Sequence, residues 1–215
     1  MLAPFTGWLQ ADAYAGYDAL YRTGRIVEVG CWAHARRRFV EALDTDASAA
    51  LIVALIQRLY QVEREAADTT SAERQARRQA QRVPSLAQID EARQRLAATT
   101  LPKAPLGDAL RYLGNQWGAL QRYVEDGRLQ IDNNNAEREL RAVGIGRKNW
   151  LFAGSMAGAE RAALLYSLIQ SCRLRGVPPF LYLRDVLLRV ATHPQAQIAQ
   201  LTPRGWAETF GPPGA

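Results

Sequence analysis

The chain opens with short apolar stretches of strand character and then turns to helical spacing for most of its length. "FTGWLQAD" is rich in β-prone aromatic and apolar residues and ends at Asp12, which predicts a strand over Phe5–Ala11. "AYAGYDALYRTG" follows as a short helix closing near Gly24, and "RIVEVGCWAHA" as a second strand. It leads into "HARRRFVEAL", where Ala33, Phe39, Val40 and Leu43 mark a helix with a strongly basic face. From about 46 to 126 the pattern is helical throughout. "ASAALIVALIQRLYQVEREA" spaces its apolar residues for a helix, whereas "SAERQARRQAQR" is polar nearly all round. The latter therefore either projects or touches something acidic. Pro84 is expected to break that run, and "SLAQIDEARQRLAA" resumes it.

"LPKAP" reads as a linker, and "LGDALRYLGNQWGALQRYVEDG" as one amphipathic helix ending at Gly127. "RLQID" is a brief extended piece before a helix that bears Glu137. "NWLFAGS" reads as an extended connection, "MAGAERAALLYSLIQSCRLRG" as a helix stopped by Gly176, and "VPPFLYLRDVLLRVATH" as the next helix after a Pro-Pro turn. The tail is expected to pack through Trp206 and Phe210. Two strands and a long helical block imply an α+β, predominantly helical protein: a parallel α/β sheet needs more strands, so either the fold is nearly all-α or part of a sheet is missing.

Composition narrows the class. The chain has 215 residues, enough for a sizeable core, and a net charge of +6 that favours acidic partners. Cys31 and Cys172 are far apart and the histidines are His34 and His193, which excludes zinc-type spacing and fits a reducing, intracellular setting. No segment has the apolar length of a membrane span. A phosphate loop of the G-x-x-x-x-G-K-[ST] kind and a G-x-S-x-G elbow are missing, and "GIG" at 144–146 follows a helix rather than a strand.

Two carboxylates and two basic clusters remain. Asp12, at a strand end, either caps the following helix or projects into a site. Glu137 falls at N3 if Asn134 is the N-cap, which imitates a capping box, with Arg141 one turn on. Arg138, Arg141, Arg147 and Lys148, the last two after a Gly-containing turn, could hold phosphate oxygens near a metal-bound carboxylate. So could His34, Arg37 and Arg38 in "HARRRF", whose other reading, with Arg36, is a solvated helix face; His34 could equally be a general acid or a packed histidine.

The blocks "GWLQADAYAGYDALY", "GCWAHARRRF", "IDNNNAERELRAVGIGRKNWLFAGS", "LLYSLIQSCRLRGVPPFLYLRDVL" and "LTPRGWAETF" resemble, in order and spacing, the transposases of the insertion sequence 66 family. The resemblance covers essentially the whole chain. It implies a DDE recombinase of ribonuclease-H-like fold, with Asp12 as the second aspartate and Glu137 as the glutamate. Both would hold Mg²⁺ or Mn²⁺ for two-metal phosphoryl transfer on DNA carrying insertion-sequence terminal repeats. It further implies a partial ribonuclease-H-like core over 1–45, a large all-α insertion over 46–126, the glutamate-bearing helix and remaining core helices over 127–190, and a tail over 191–215. Partners would be DNA and other transposase subunits, with no membrane, in the bacterial cytoplasm at the nucleoid.

One departure stands out. The family pattern begins with a further aspartate on an earlier strand, preceded by DNA-end-binding and zinc-type segments, and Asp18 is no substitute because it lies in the helix after Asp12. The chain thus reads as the C-terminal part of a transposase from a truncated gene or interrupted frame, expected to be inactive or severely impaired alone. The other reading is a non-catalytic DNA-binding or transposase-interacting regulatory fragment.

Overall fold

The computed structural model describes residues 4–150 and 154–211, the side chains of 142–143 and 147–150 lying outside the described set. It is 68% helical with one small sheet, the α+β, mainly helical class that the pattern implies. Two units are distinguished, Met1–Asn135 and Ala136–Ala215.

In the first unit, strand β1 (Gly7–Gln10) pairs in parallel with β2 (Ile26–Val29), Gly7 opposite Ile26 and Gln10 opposite Val29. Their connection is a 3₁₀ turn at Ala15–Tyr17 and a short helix α1 (Asp18–Tyr21), closed at Gly24 with a φ of +72°. The basic helix α2 (Trp32–Ala42) buries Trp32, Ala35, Phe39 and Ala42, one stripe at helical spacing, and leaves Arg37 and Arg38 exposed. Helix α3 (Ala49–Glu65) buries Ile52, Leu55, Ile56 and Leu59 in the same manner. Around these pack α4 (Ser71–Ala97), α5 (Pro105–Asn115) and α6 (Trp117–Gln121), which bring Ile89, Leu106, Leu113 and Leu120 into one core.

Helix α4 departs from the sequence expectation twice. Pro84 does not break it: the helix runs unbroken from Ser71, behind a Thr70–Glu73 capping box, to Ala97. Proline removes the bond to the carbonyl of Ala80, which is exposed and can be hydrated, while the Ser85 hydroxyl donates to the Gln81 carbonyl at 3.0 Å. The polar first half does not project either. Arg78 and Arg82 are fully buried and continue the inward stripe of Leu86 and Ile89. The acidic group they meet is Glu63 of α3.

Arg78 uses all five of its N–H groups. Nε and Nη2 donate to the two oxygens of Glu63, each at 2.9 Å; Nη1 also donates to the carbonyls of Tyr123 (2.7 Å) and Asp126 (2.8 Å), and Nη2 to that of Leu129 (2.8 Å). Arg82 pairs with the same carboxylate, and both guanidiniums lie over the Tyr123 ring. Gln75 and Gln79 donate to the carbonyls of Glu125 and Val124, and Arg74 to that of Gly127. Gly127 passes so close to the Ser71 backbone that a Cβ would collide with the Ser71 carbonyl oxygen. The polar face of α4 thus serves as a row of donors for an otherwise unpaired backbone segment.

That segment replaces two further expectations. The single helix foreseen up to Gly127 is broken at Gln116 and ends as a 3₁₀ turn at Arg122–Val124. "RLQID" is a turn, not an extended piece. Helix α7 (Asn134–Trp150) then continues through "GIG" without a turn and takes in Asn149 and Trp150, so the extended "NWLFAGS" is not seen as foreseen; 151–153 lie outside the described residues.

In the second unit, α8 (Met156–Leu174) starts at the Ser155 cap and is closed at Gly176, whose φ of +68° favours glycine. Helix α9 (Pro179–Arg189) follows the Pro-Pro turn, and α10 (Pro203–Thr209) ends the fold. Trp206 is buried edge-on against Tyr182 beside Cys172 and Val177, with Phe210 packed at the rim, as foreseen for the tail. Both cysteines are free and buried. Among the described residues no helix is long and apolar enough to cross a membrane.

Two substitutions test this account by chemical denaturation. Arg78→Met strands Glu63 and three carbonyls and should cost about 3–5 kcal/mol of stability, with Arg78→Lys recovering only part. Pro84→Ala, which restores a helical hydrogen bond, should raise stability by roughly 1–3 kcal/mol.

Candidate metal centre and basic cleft

Asp12 follows β1 by two residues. The strand end is fixed by Gln10, whose side-chain amide donates to the carbonyls of Gly30 (3.2 Å) and Gln130 (2.8 Å). The next residue after Asp12 is Ala13, with a φ of +64° that a non-glycine residue adopts at a cost. Asp12 itself is exposed. The N-caps of the 3₁₀ turn and of α1 are Tyr14 and Tyr17, without side-chain caps, so the capping role considered for Asp12 is overturned.

His34 reaches the same place from the first turn of α2. The start of that helix is pinned by Trp32, whose backbone N–H donates to the Ile131 carbonyl (3.1 Å) and whose indole donates to that of Leu120 (2.9 Å). A carboxylate oxygen of Asp12 and a ring nitrogen of His34 lie within 4.8 Å of one another. Two ligands of one first-row divalent ion stand at most about 4.4 Å apart, from metal–ligand bonds of roughly 2.0–2.2 Å. The pair therefore fits a divalent cation with small adjustment. An imidazole beside a carboxylate suits Mn²⁺ better than Mg²⁺, which prefers all-oxygen shells. His34 Nδ1 also lies 3.2 Å from Cys31 Sγ, whose thiol pKa burial pushes up.

Glu137 sits half-buried in the first turn of α7, where the helix dipole favours a carboxylate. The start of that helix is organised by a residue whose role the sequence reading missed. Asp132 accepts from the Asn134 backbone N–H (3.1 Å) and side-chain amide (2.9 Å), and from the Tyr60 hydroxyl (2.9 Å). Asn134 is consequently the first residue of the helix and not its cap, so Glu137 stands one position beyond the capping-box place. The signal was present in Asp-Asn-Asn, an aspartate able to bond the backbone two residues on.

The basic residues divide. Arg37 lines a cleft with Arg36, whereas Arg38 stacks on Tyr112 of α5 at 4.2 Å. Arg138 and Arg141 are exposed on α7; Arg147 and Lys148 belong to the same helix, with side chains outside the described residues.

Acidic groups near β2 also shape the field. Burial raises the Glu28 carboxyl pKa above its usual value, Arg122 opposes this, and Asp18 adds to it. The Tyr21 hydroxyl, near Glu28, Asp18 and Asp12, is pushed up to about 12, mainly by burial.

The comparisons with known proteins decide the family. Residues 1–161 match the model described as "Transposase IS66 family", and residues 167–204 that of the "IS66 C-terminal element". The chain belongs to the IS66 transposase family. It is 33% identical to the uncharacterized protein y4hP of Sinorhizobium fredii and 34% identical to y4jD of the same organism, over 95% of the chain in each case. It spans 40% and 42% of the length of those two relatives. No solved structure matches.

Glu28 supplies a pH test. Its pKa is higher folded than unfolded, so the folded state binds more protons between the two values and stability falls as pH rises through that window. Measured against Glu28→Gln, the wild type should lose stability from about pH 4 upward and then level off, the difference separating Glu28 from Asp126 and Asp185, whose lowered pKa values act in the opposite sense. At neutral pH Glu28→Gln should be the more stable of the two.

Proposed function

We propose that this chain is part of the catalytic region of a metal-dependent DNA transposase with a ribonuclease-H-like core, in which Asp12 and Glu137 are metal ligands. Family membership supports the chemistry. The single observation that carries the metal assignment is the meeting of Asp12 and His34 at the end of a parallel strand. On this reading the parallel pair with its 3₁₀–α1 crossover belongs to that core, α3 to α6 form the helical insertion, and α7 carries the glutamate. When bound, the divalent ion supplies Lewis-acid activation of an attacking water or DNA 3′-hydroxyl and neutralises phosphate charge.

The chain's own groups have distinct tasks. Asp12 and Glu137 hold the ion through oxygen, and His34 adds a nitrogen ligand or a proton donor beside it. Arg37, Arg38, Arg138, Arg141, Arg147 and Lys148 position the DNA backbone through charge-assisted bonds to phosphate, an interaction that weakens steeply with salt. The family pattern includes a third carboxylate, which would come from a segment outside these residues or from another transposase subunit. The chain by itself is thus expected to bind metal weakly and to perform no strand transfer on terminal-repeat DNA. A protein acting on bacterial DNA would work at the nucleoid.

Titration with Mn²⁺, followed by electron paramagnetic resonance of the free ion, tests the ligand set. Asp12→Asn and Glu137→Gln should each weaken binding by about tenfold or more, a loss of roughly 1.4 kcal/mol. Unchanged Mn²⁺ binding in both variants would refute the assignment. Cleavage of terminal-repeat DNA by the wild-type chain, lost on Glu137→Ala, would instead show that this chain carries a complete site.

A further inference from the structure

The groove between α2 and α3 holds a feature that the metal site does not use. A cleft of about 500 Å³ lies against one stripe of each helix, Arg36 and Arg37 from α2 and Gln57, Tyr60 and Arg64 from α3, with Asn134 closing one end. The positions are those of single helix faces, i and i+3 or i+7 along α3, so the side chains converge on the groove. No carboxylate lines it. Among the described residues the guanidiniums of Arg36, Arg37 and Arg64 make neither a hydrogen bond nor an ion pair, in contrast to those of Arg74, Arg78, Arg93 and Arg111. Three guanidiniums gathered in a concavity without a counter-charge repel one another, and an anion entering the cleft relieves that repulsion.

We infer that this cleft is a binding site for an unpaired nucleotide of a DNA strand. The inference rests on the DNA reading above and adds a site and a ligand form to it. The size is that of a small-ligand pocket, which takes a nucleotide and not a duplex. A duplex backbone is convex and can be met by arginines on an open surface, whereas these three line a concavity, Arg36 half-buried and Arg37 and Arg64 open to solvent. The remaining walls suit a base better than a bare phosphate. Gln57 offers an amide able to bond a base edge. The side-chain nitrogen of Asn134 is held by Asp132, which leaves its oxygen as an acceptor. Tyr60 adds an aromatic surface, and its hydroxyl bond to Asp132 keeps the ring from turning. Asp132 thus orders two walls of the cleft, Tyr60 and Asn134.

The test is fluorescence anisotropy with the full chain, using a short labelled oligothymidylate and a blunt duplex. Arg36→Gln and Arg64→Gln, with Arg95→Gln as a control for lost charge on an exposed helix face, keep the fold intact because all three side chains lie outside the core. The first two should each weaken the single-stranded probe about tenfold and reduce its salt slope by about 0.7, with duplex affinity changed by less than about twofold. Equal losses on both probes, or losses no larger than those of Arg95→Gln, would overturn the assignment. So would competition by polyglutamate as effective as by oligothymidylate, which would mark an acidic-peptide site. If the wild-type chain binds the duplex but the two variants behave as the control, only the cleft falls; if it binds neither probe, the DNA reading falls with it.

Discussion

One guanidinium, that of Arg78, holds the larger unit together at the point where its helices give way to irregular backbone. A charge without water is costly unless its donors are paired, and Arg78 pairs all of its own through Glu63 and three carbonyls between Tyr123 and Leu129. Glu63 in turn is shared with Arg82, so the buried group carries one more positive charge than negative. The excess is offset by carbonyl dipoles and by the face of Tyr123. The arrangement ties α3 to α4 and ties both to the segment that leads into α7.

That segment is the scaffold of the candidate site. From it, Gln130 accepts from Gln10 at the end of β1, Ile131 accepts from Trp32 at the start of α2, and Asp132 receives Tyr60 of α3. Each of these bonds fixes a neighbour of a chemically capable residue: Asp12 two positions after Gln10, His34 two after Trp32, and Glu137 in the helix that Asp132 starts. The site residues are exposed or half-buried and contribute little to packing. The residues beside them in the chain are fixed by main-chain carbonyls and by the Asp132 carboxylate. A strained Ala13 next to Asp12 fits the same division, with local cost at the turn borne by the bonds around it.

Much of this was legible in the residues. The two strands, the basic α2, the amphipathic α3, the stop at Gly176 and the Trp206 anchor follow from periodicity and turn chemistry, which act locally. Pro84 and the polar run before it were misread because their outcome depends on partners remote in sequence: an exposed Ala80 carbonyl tolerates the missing bond, and Glu63 turns two helix-face arginines inward. "GIG" was read as a turn from glycine's intrinsic preference, yet the chain continues as helix there. At the site, Asp12 and Glu137 could not be separated from helix caps by local pattern, since both roles call for a carboxylate near a helix start. For Asp12 the structure removes one reading, because the caps of the 3₁₀ turn and of α1 are Tyr14 and Tyr17.

The sequence by itself determined the family, the alternation of strand and helix at the start, and which residues have the chemistry to hold metal or phosphate, because these depend on residue identity and spacing along the chain. Only the tertiary structure decided that a polar helix lies inward, that Asp132 starts the glutamate helix, and that three arginines from two helices share one cleft. Those outcomes depend on buried charges and unpaired carbonyls finding partners tens of residues away, an interaction that no local period encodes.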